Sequence, residues 1–454
     1  LVGWIILFVF CSVGRVDLFS GQEKSWRENL PFEMPDLQPP DFPDQSFDIR
    51  DFGADPDDKI ANTKAFRDAI AQCTEKGGGR VLVPPGEWLT GPIHLESNVD
   101  LHVAKDAVIK FSTEYADYLP VVFISRGGVR CYTYSPPIYA RDKENIAITG
   151  EGVIDGQGQV WWPWKKKQPG MVKLFEMIKK DVPVKERVFG TVEDGVRPPF
   201  IHPIECKNVL IEGVTFKDGP SWNVHPVWCE NVIIHDIKIV AHGPNNDGID
   251  PDGCKNVLVE NCYLDVGDDN ICLKSGRDED AWAVGIPCEN VVVRNCIAKA
   301  GHGGITIGSE MSAGVRNVFV TDCDFDGTDR GIRLKTRLGR GGVVENIWIQ
   351  NITMRNIRME AIRMNMHYSG EPIENEMNYG TLEKLPKDVP TFRNIYIKNV
   401  TCESAKKAIE LYGLPQNPIQ TIELENIHLQ AQNRGTIDHV EGLTIKDFSV
   451  KIKE

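Results

Sequence analysis

From residue 144 onward the chain returns again and again to one short alternation of polar and apolar positions: "ENIAITG", "KNVLIEG", "ENVIIHD", "KNVLVEN", "ENVVVRN", "RNVFVTD", "ENIWIQN" and "RNIYIKN". Each reads as a strand with one buried face. The Asn of the pattern falls at 145, 208, 231, 256, 290, 317, 346 and 394, and "QTIELEN" and "EGLTIKD" continue the alternation without it. Most intervals lie between 23 residues (208 to 231) and 34 residues (256 to 290), with Gly, Asn and Asp turns between and no helix long enough for a βαβ crossover. A single strand pattern recurring at this period predicts an all-β, single-domain fold, a right-handed parallel β-helix in which each rung covers the one before.

Upstream, "NTKAFRDAIAQCTEKGGG" places Phe66, Ala69, Ile70 and Cys73 on one helical face, with Asn62 as the expected N-cap and glycines 77–79 as the stop. A β-helix leaves an open core and unpaired strand edges at its end, so this amphipathic helix is expected to cap it. Two intervals are longer, 63 residues from Asn145 to Asn208 and 48 from Asn346 to Asn394, and must carry insertions. The first holds "VWWPWKKKQPG", which mixes aromatic surface with cations as a sugar-acid site requires; Trp161 and Trp162 equally suit the anchoring of a loop.

The opening "LVGWIILFVFCSVG" is too short an apolar run for a membrane span and reads as the remnant of an export signal over 1–21, a lipid-anchored Cys11 being the alternative. Residues 22–47 are Pro-rich and acidic and read as an extended linker, leaving 48–454 as the β-helix domain. A secreted or periplasmic location is the expectation. The twelve cysteines do not reach the density of a disulfide scaffold. Cys206, Cys229, Cys254 and Cys288 share one phase of the repeat and Cys262, Cys296 and Cys323 another, so ladders of buried thiols are expected rather than disulfides, and no paired C-x-x-C points to zinc.

With 51 Lys and Arg against 65 Asp and Glu, the net charge is −14. Such a surface repels phosphate backbones and anionic lipid, so neither nucleic acid nor a membrane is an expected partner. An anionic substrate requires a local basic patch, and the acids themselves cluster.

"NNDGID" (245–250) and "VGDDN" (266–270) flank the strand begun by Asn256, and Asp247, Asp268 and His302 of "AGHGG" are each about one coil apart. Arg333 and Lys335 of "GIRLK" come one coil later and, two apart on a strand, point to one side. Singly each has an ordinary reading: an Asp satisfying turn N–H groups, a turn histidine, a solvated basic face. Adjacent Asp268 and Asp269 are harder to place so, because neighbouring like charges are unfavourable unless one is protonated or both are engaged. Together they form one stripe of carboxylates, imidazole and cations.

Asn245-Asn246-Asp247, Gly267-Asp268-Asp269, Gly301-His302-Gly303 and Arg333-Leu334-Lys335, in that order and at coil spacing, resemble the four motifs of the polygalacturonase family of pectin-degrading glycoside hydrolases. The resemblance runs from "FGADPDD" and "GGGRVLVPPGEW" through nearly the whole folded chain. Asn246 stands where the family has Thr and Leu334 where it has Ile. The resemblance implies hydrolysis of α-galacturonosidic bonds with inversion, a pectic polysaccharide or oligogalacturonide as substrate, and no metal or other cofactor; a monomer is expected. It implies Asp268 as general acid, Asp247 and Asp269 as the carboxylates that hold and deprotonate water, and His302 as partner of Asp268 or of a substrate hydroxyl. Inversion needs such a pair of carboxyl groups, one protonated and one activating water from the far face. Arg333 and Lys335 are expected to bind the uronate, Asn245 and His225 to lie on the substrate side, and Lys299, Arg337 and Arg340 to extend the basic patch.

Two other readings use the same residues. A lyase on this architecture would bind calcium at Asp247, Asp250 and Asp252, and a catalytically silent β-helix would only hold polysaccharide. Exo action from the non-reducing end is expected over endo action, because the insertions within 161–203 and 365–390 are long enough to close one end of the groove, with Lys165, Lys166 and Lys167 in reach of a terminal carboxylate.

Overall fold

A computed structural model describes residue 27, residues 30–368 and residues 386–453. They wind into a right-handed parallel β-helix built of three sheets. The first sheet is the recurrent pattern: Glu144–Gly150, Lys207–Glu212, Glu230–His235, Lys255–Glu260 and Cys288–Arg294 pair in turn, in parallel. The second follows each of these around a corner, through Val153–Asp155, Thr215–Lys217, Lys238–Ala241, Tyr263–Val266 and Ile297–Lys299. The third runs from Ile138–Arg141 and Ile201–Ile204 through single bridges at Val224, Val227, Ile249 and Asp252 to Asp269–Leu273, Gly303–Ile307, Ile332–Lys335 and Glu360–Asn365. Pro226 and Pro251 lie in the two bridge-only rungs, where the missing N–H prevents a full ladder.

The recurrent Asn is a corner residue. Each sits in the left-handed region, from φ 54° at Asn145 to φ 58° at Asn231, a conformation Asn tolerates better than most residues. Each also donates its side-chain N–H to the Asn oxygen one rung back, as in Asn208 to Asn145 at 2.9 Å and Asn290 to Asn256 at 3.1 Å. The residues that follow it point alternately into the barrel and out of it, so Val209, Val232, Val257 and Val291 form one buried column. The eleven described cysteines are all free and buried, Cys206, Cys229, Cys254 and Cys288 at one phase and Cys262, Cys296 and Cys323 at the other.

The capping helix spans Lys59–Glu75 and buries Phe66, Ala69, Ile70 and Cys73 as expected. Its N-cap is Asp58, not Asn62: the Asp58 carboxylate accepts from the N–H groups of Ile60 and Ala61. Asn62 lies one turn in, buried, and ties the helix to Leu89 O. The segment read as a linker is extended over 30–45 but lies along the barrel: Leu30, Phe32, Met34, Leu37 and Phe42 pack on the outward Ala147, Leu210, Ile233, Leu258, Val292 and Phe319 of the first sheet. Residues 1–21, read as an export signal, lie outside the described residues.

The first insertion stands on the outer face of the third sheet. Its helix Pro169–Lys179 and its Phe189, together with the antiparallel hairpin Val122–Arg126 and Val129–Thr133 that precedes the Asn145 rung, bury Phe123, Ile124, Leu174 and Phe189 against Tyr139, Ile204 and Val227. Trp161 is fully buried among Tyr118, Tyr134 and Trp164, which decides between its two readings in favour of a loop anchor. Trp162 donates its indole N–H to Gly219 O at 3.0 Å and packs on Gly243, where no side chain would fit. Of the second insertion, residues 369–385 lie outside the described residues.

Candidate active site

Alternation in the third sheet separates core from chemistry. Ile249, Ile271, Leu273, Ile305, Ile307, Ile332 and Leu334 enter the core, so their neighbours Asp250, Cys272, Lys274, Thr306, Arg333 and Lys335 face outward, with Thr306 in register with Arg333. There a cleft of about 750 Å³ opens, lined by Asn245, Asp247, Asp268, His302 and Lys335 together with Lys165, Trp222, Lys274, Arg277, Glu310, Arg337, Arg340 and Tyr368.

Three aspartates meet at this cleft in three charge environments. Asp269 is fully buried; Arg333 Nη1 and Thr306 Oγ1 donate to one oxygen, both at 2.9 Å, and Lys335 Nζ to the other at 2.6 Å. Burial works against its ionisation, yet Lys335 and Arg333, with Lys274 behind them, hold its carboxyl well below the usual range. Asp247 is also buried, and burial followed by the charge of Asp268 pushes its carboxyl up to about 7 against the pull of Lys274. Asp268 is the most open of the three. One of its oxygens stands 2.7 Å from His302 Nδ1 and the other accepts the Asn245 side-chain N–H at 3.3 Å. Among the described residues its ion-pair partner is His302, with no Lys or Arg. The Asp268 hydrogen bond, against burial, raises the pKa of His302.

The turn that carries Asp247 is fixed from below. Arg197 donates to Pro220 O, Pro244 O and Asn245 Oδ1 at 3.1, 2.7 and 2.8 Å. Asn246 bonds to Gly219 O and Ser221 O and accepts from Gly243 N. It is buried, so the departure from the family Thr falls in the scaffold rather than in the cleft.

The structure brings together Asp247, Asp268, Asp269, His302, Asn245, Arg333 and Lys335, places Arg337 and Arg340 on the cleft as expected, and corrects His225 and Lys299. His225 is 0% exposed, stacked on His202 and covered by Trp222, so it does not reach the substrate side. Lys299 is on the second sheet and paired with Asp326 at 2.5 Å. Arg333 and Lys335 are committed to Asp269 before any uronate arrives. Of the lysine run, only Lys165 lines the cleft.

Lys274, Trp222, Arg277 and Glu310 went unread in the sequence. Lys274 is buried, with its ammonium 3.4 Å from Asp247, 3.3 Å from Asp250 and 3.7 Å from Glu310 and 4.2 Å from the centre of the Trp222 ring. Its position was recoverable: two beyond Cys272, on the outward parity. Glu310 is held down at about 2, burial being outweighed by Lys274 and Arg340.

Asp247, Asp269 and Cys272 bring ligand atoms within 4.8 Å of one another, close enough for a cation. That ground already holds side-chain cations, Lys335 and Arg333 on Asp269 and Lys274 between Asp247 and Asp250. Asp252 meanwhile accepts Gly276 N–H at 2.7 Å and faces His225. The calcium arrangement of Asp247, Asp250 and Asp252 therefore does not fit, because an ammonium stands where the ion would.

Residues 189–448 match the family model described as Glycosyl hydrolases family 28. The chain is 33% identical over 415 residues to a "Probable polygalacturonase" of Vitis vinifera, covering 88% of this chain and 78% of that one. It is 28% identical over 395 residues to an "Endo-polygalacturonase" of Pectobacterium parmentieri, covering 84% and 88%. Among solved structures, an exopolygalacturonase from Thermotoga maritima is similar with a TM-score of 0.82 and 39% identity, over 90% of this chain and 94% of that one.

Proposed function

The chain belongs to glycosyl hydrolase family 28 and is a polygalacturonase-type glycoside hydrolase of that inverting family, and we propose that it removes galacturonic acid units from the non-reducing end of galacturonan. The observation that carries this reading is the wall built by the first insertion and by the Val122–Thr133 hairpin before it. That hairpin and the insertion's helix stand on the rungs that precede Asp247, Lys165 of the insertion lines the cleft, and Phe175 of its helix packs under Arg277 at 3.9 Å from the ring centre. A groove stopped on that side admits a chain end in place of a chain middle. Lys165 and Arg277 give that end positive charge for a terminal carboxylate.

The three carboxyl groups divide the work by their partners. Asp268 meets the glycosidic oxygen as acid, being open to the cleft and held by His302 and Asn245. Asp269, kept ionised by two cations, and Asp247 orient the attacking water on the opposite side of C1.

Following polygalacturonate viscosity against reducing ends tests the exo reading. Slow viscosity loss with monomer as the early product is expected. A rapid fall with mixed oligomers would establish endo action.

A further inference from the structure

We infer that Lys274 is a positioning residue for hydrolysis: its ammonium, seated between Asp247 and Asp250, secures Asp247 as the anion that takes a proton from the attacking water. The inference rests on the reading of Asp247 as a water-activating carboxylate.

The geometry is specific to the two oxygens of Asp247. Oδ2 is turned to Lys274 Nζ at 3.4 Å, while Oδ1 is buried and has no hydrogen-bond partner among the described residues. One oxygen is thus tethered to a cation and the other is left to receive a proton. Lys274 is itself 2% exposed and cannot swing into solvent. Asp250 at 3.3 Å, Glu310 at 3.7 Å and Cys272 Sγ at 3.1 Å surround it, and the Trp222 ring closes over it. Burial works against this ammonium, but the Asp250 and Asp247 carboxyl groups, with Glu310 behind them, raise its pKa and keep it charged.

The other charges near Asp247 give Lys274 its role. Asp268 and Asp269 face it from the catalytic side and oppose its ionisation, and Asp250 does the same from below. Lys335, the buried Arg126, Arg197 and Lys165 favour it, but Lys335 is bonded to Asp269, Arg126 lies against Trp222, Arg197 is bonded to Pro220 O, Pro244 O and Asn245, and Lys165 stands across the cleft beyond ion-pair reach. Among the described residues, Lys274 is the cation in ion-pair reach of Asp247. In the reaction, water oxygen bonds to C1 as its proton passes to Asp247 Oδ1; the bond from C1 to the glycosidic oxygen breaks, and that oxygen takes the proton of Asp268. Solvent exchange then returns the proton from Asp247 and reprotonates Asp268, so one water is consumed.

The test compares Lys274→Met, Lys274→Arg and Asp247→Asn in the full chain, by pH profiles of kcat/KM on trigalacturonate and by separate kcat and KM. Removing a cation this close should move the acid limb of Lys274→Met upward by about one to two pH units. It should lower kcat roughly tenfold or more at the wild-type optimum with KM little changed, while Lys274→Arg returns the limb towards the wild-type position. If Lys274→Met does not fold, Lys274→Gln carries the same readout, since its amide can bond the same carboxylates. An unmoved acid limb in the neutral variant, with Asp247→Asn inactive, overturns the role of Lys274 alone. Near-wild-type activity in Asp247→Asn overturns the underlying reading of Asp247 and the inference with it.

Discussion

Lys335 Nζ stands 2.6 Å from Asp269 Oδ2, and both side chains are buried at the floor of the cleft. The cation of the Arg-Leu-Lys motif is thus a fixed part of the acid machinery. Lys335→Ala leaves a buried carboxylate short of a partner, a change that typically costs about 2–5 kcal/mol, so kcat/KM should fall roughly 30-fold or more and kcat should share in the loss. Steady-state kinetics on oligogalacturonides check this. A rise in KM with kcat unchanged would mean that Lys335 reads the uronate and leaves Asp269 alone.

Asp268→Asn keeps the shape of the side chain and its contact with His302 but removes the transferable proton. Turnover should fall by two to four orders of magnitude, about the worth of general acid catalysis, with oligosaccharide affinity by calorimetry little changed. Full activity would assign the proton to another group.

The fold was legible because one strand pattern repeats, and because turn Asn and alternating Val and Ile are local features. The reason for the Asn was not, since a side-chain ladder from Asn145 to Asn208 joins residues far apart in sequence. The site was legible in its acids, His302 and the basic pair, all of which lie in turns or strand ends with unusual composition. His225 and Lys299 failed for a common reason: residue type and proximity in sequence do not say which sheet or which side a group occupies. Lys274 was missed because a lone Lys near a turn has an ordinary solvated reading, and only the stacking of Asp247, Asp250 and Glu310 around it shows otherwise. Asn62 was displaced as N-cap by Asp58, whose carboxylate is free to meet the first N–H groups.

The pairing of His302 with Asp268 carries a pH signature. The hydrogen bond raises the pKa of His302, so its imidazolium charge is fully present below the ordinary histidine value and is lost as pH rises through the raised one. The ratio of wild-type to His302→Ala kcat/KM should therefore be largest in acid and decline across that window. A ratio that does not change with pH would show that His302 acts without its charge.

Asp252 makes the opposite statement about stability. Burial pushes its carboxyl up to about 7, only partly offset by the Gly276 N–H and Lys274. A carboxyl whose pKa is raised on folding stabilises below its unfolded value and loses that contribution as pH rises towards about 7. Asp252→Asn should thus gain stability relative to wild type between about pH 4 and pH 8, by up to a few kcal/mol. Chemical denaturation at both ends of the range checks it. A constant difference would mean that Asp252 remains ionised in the fold.

The arrangement of Asp268 on one side of the scissile bond, with Asp247 and Asp269 holding water on the other, is tested most directly by proton NMR of the wild-type reaction in ¹⁸O-labelled water. The account predicts that the first product carries the label at C1 in the β configuration, with the α anomer growing in only by mutarotation. An α-configured first product would contradict it.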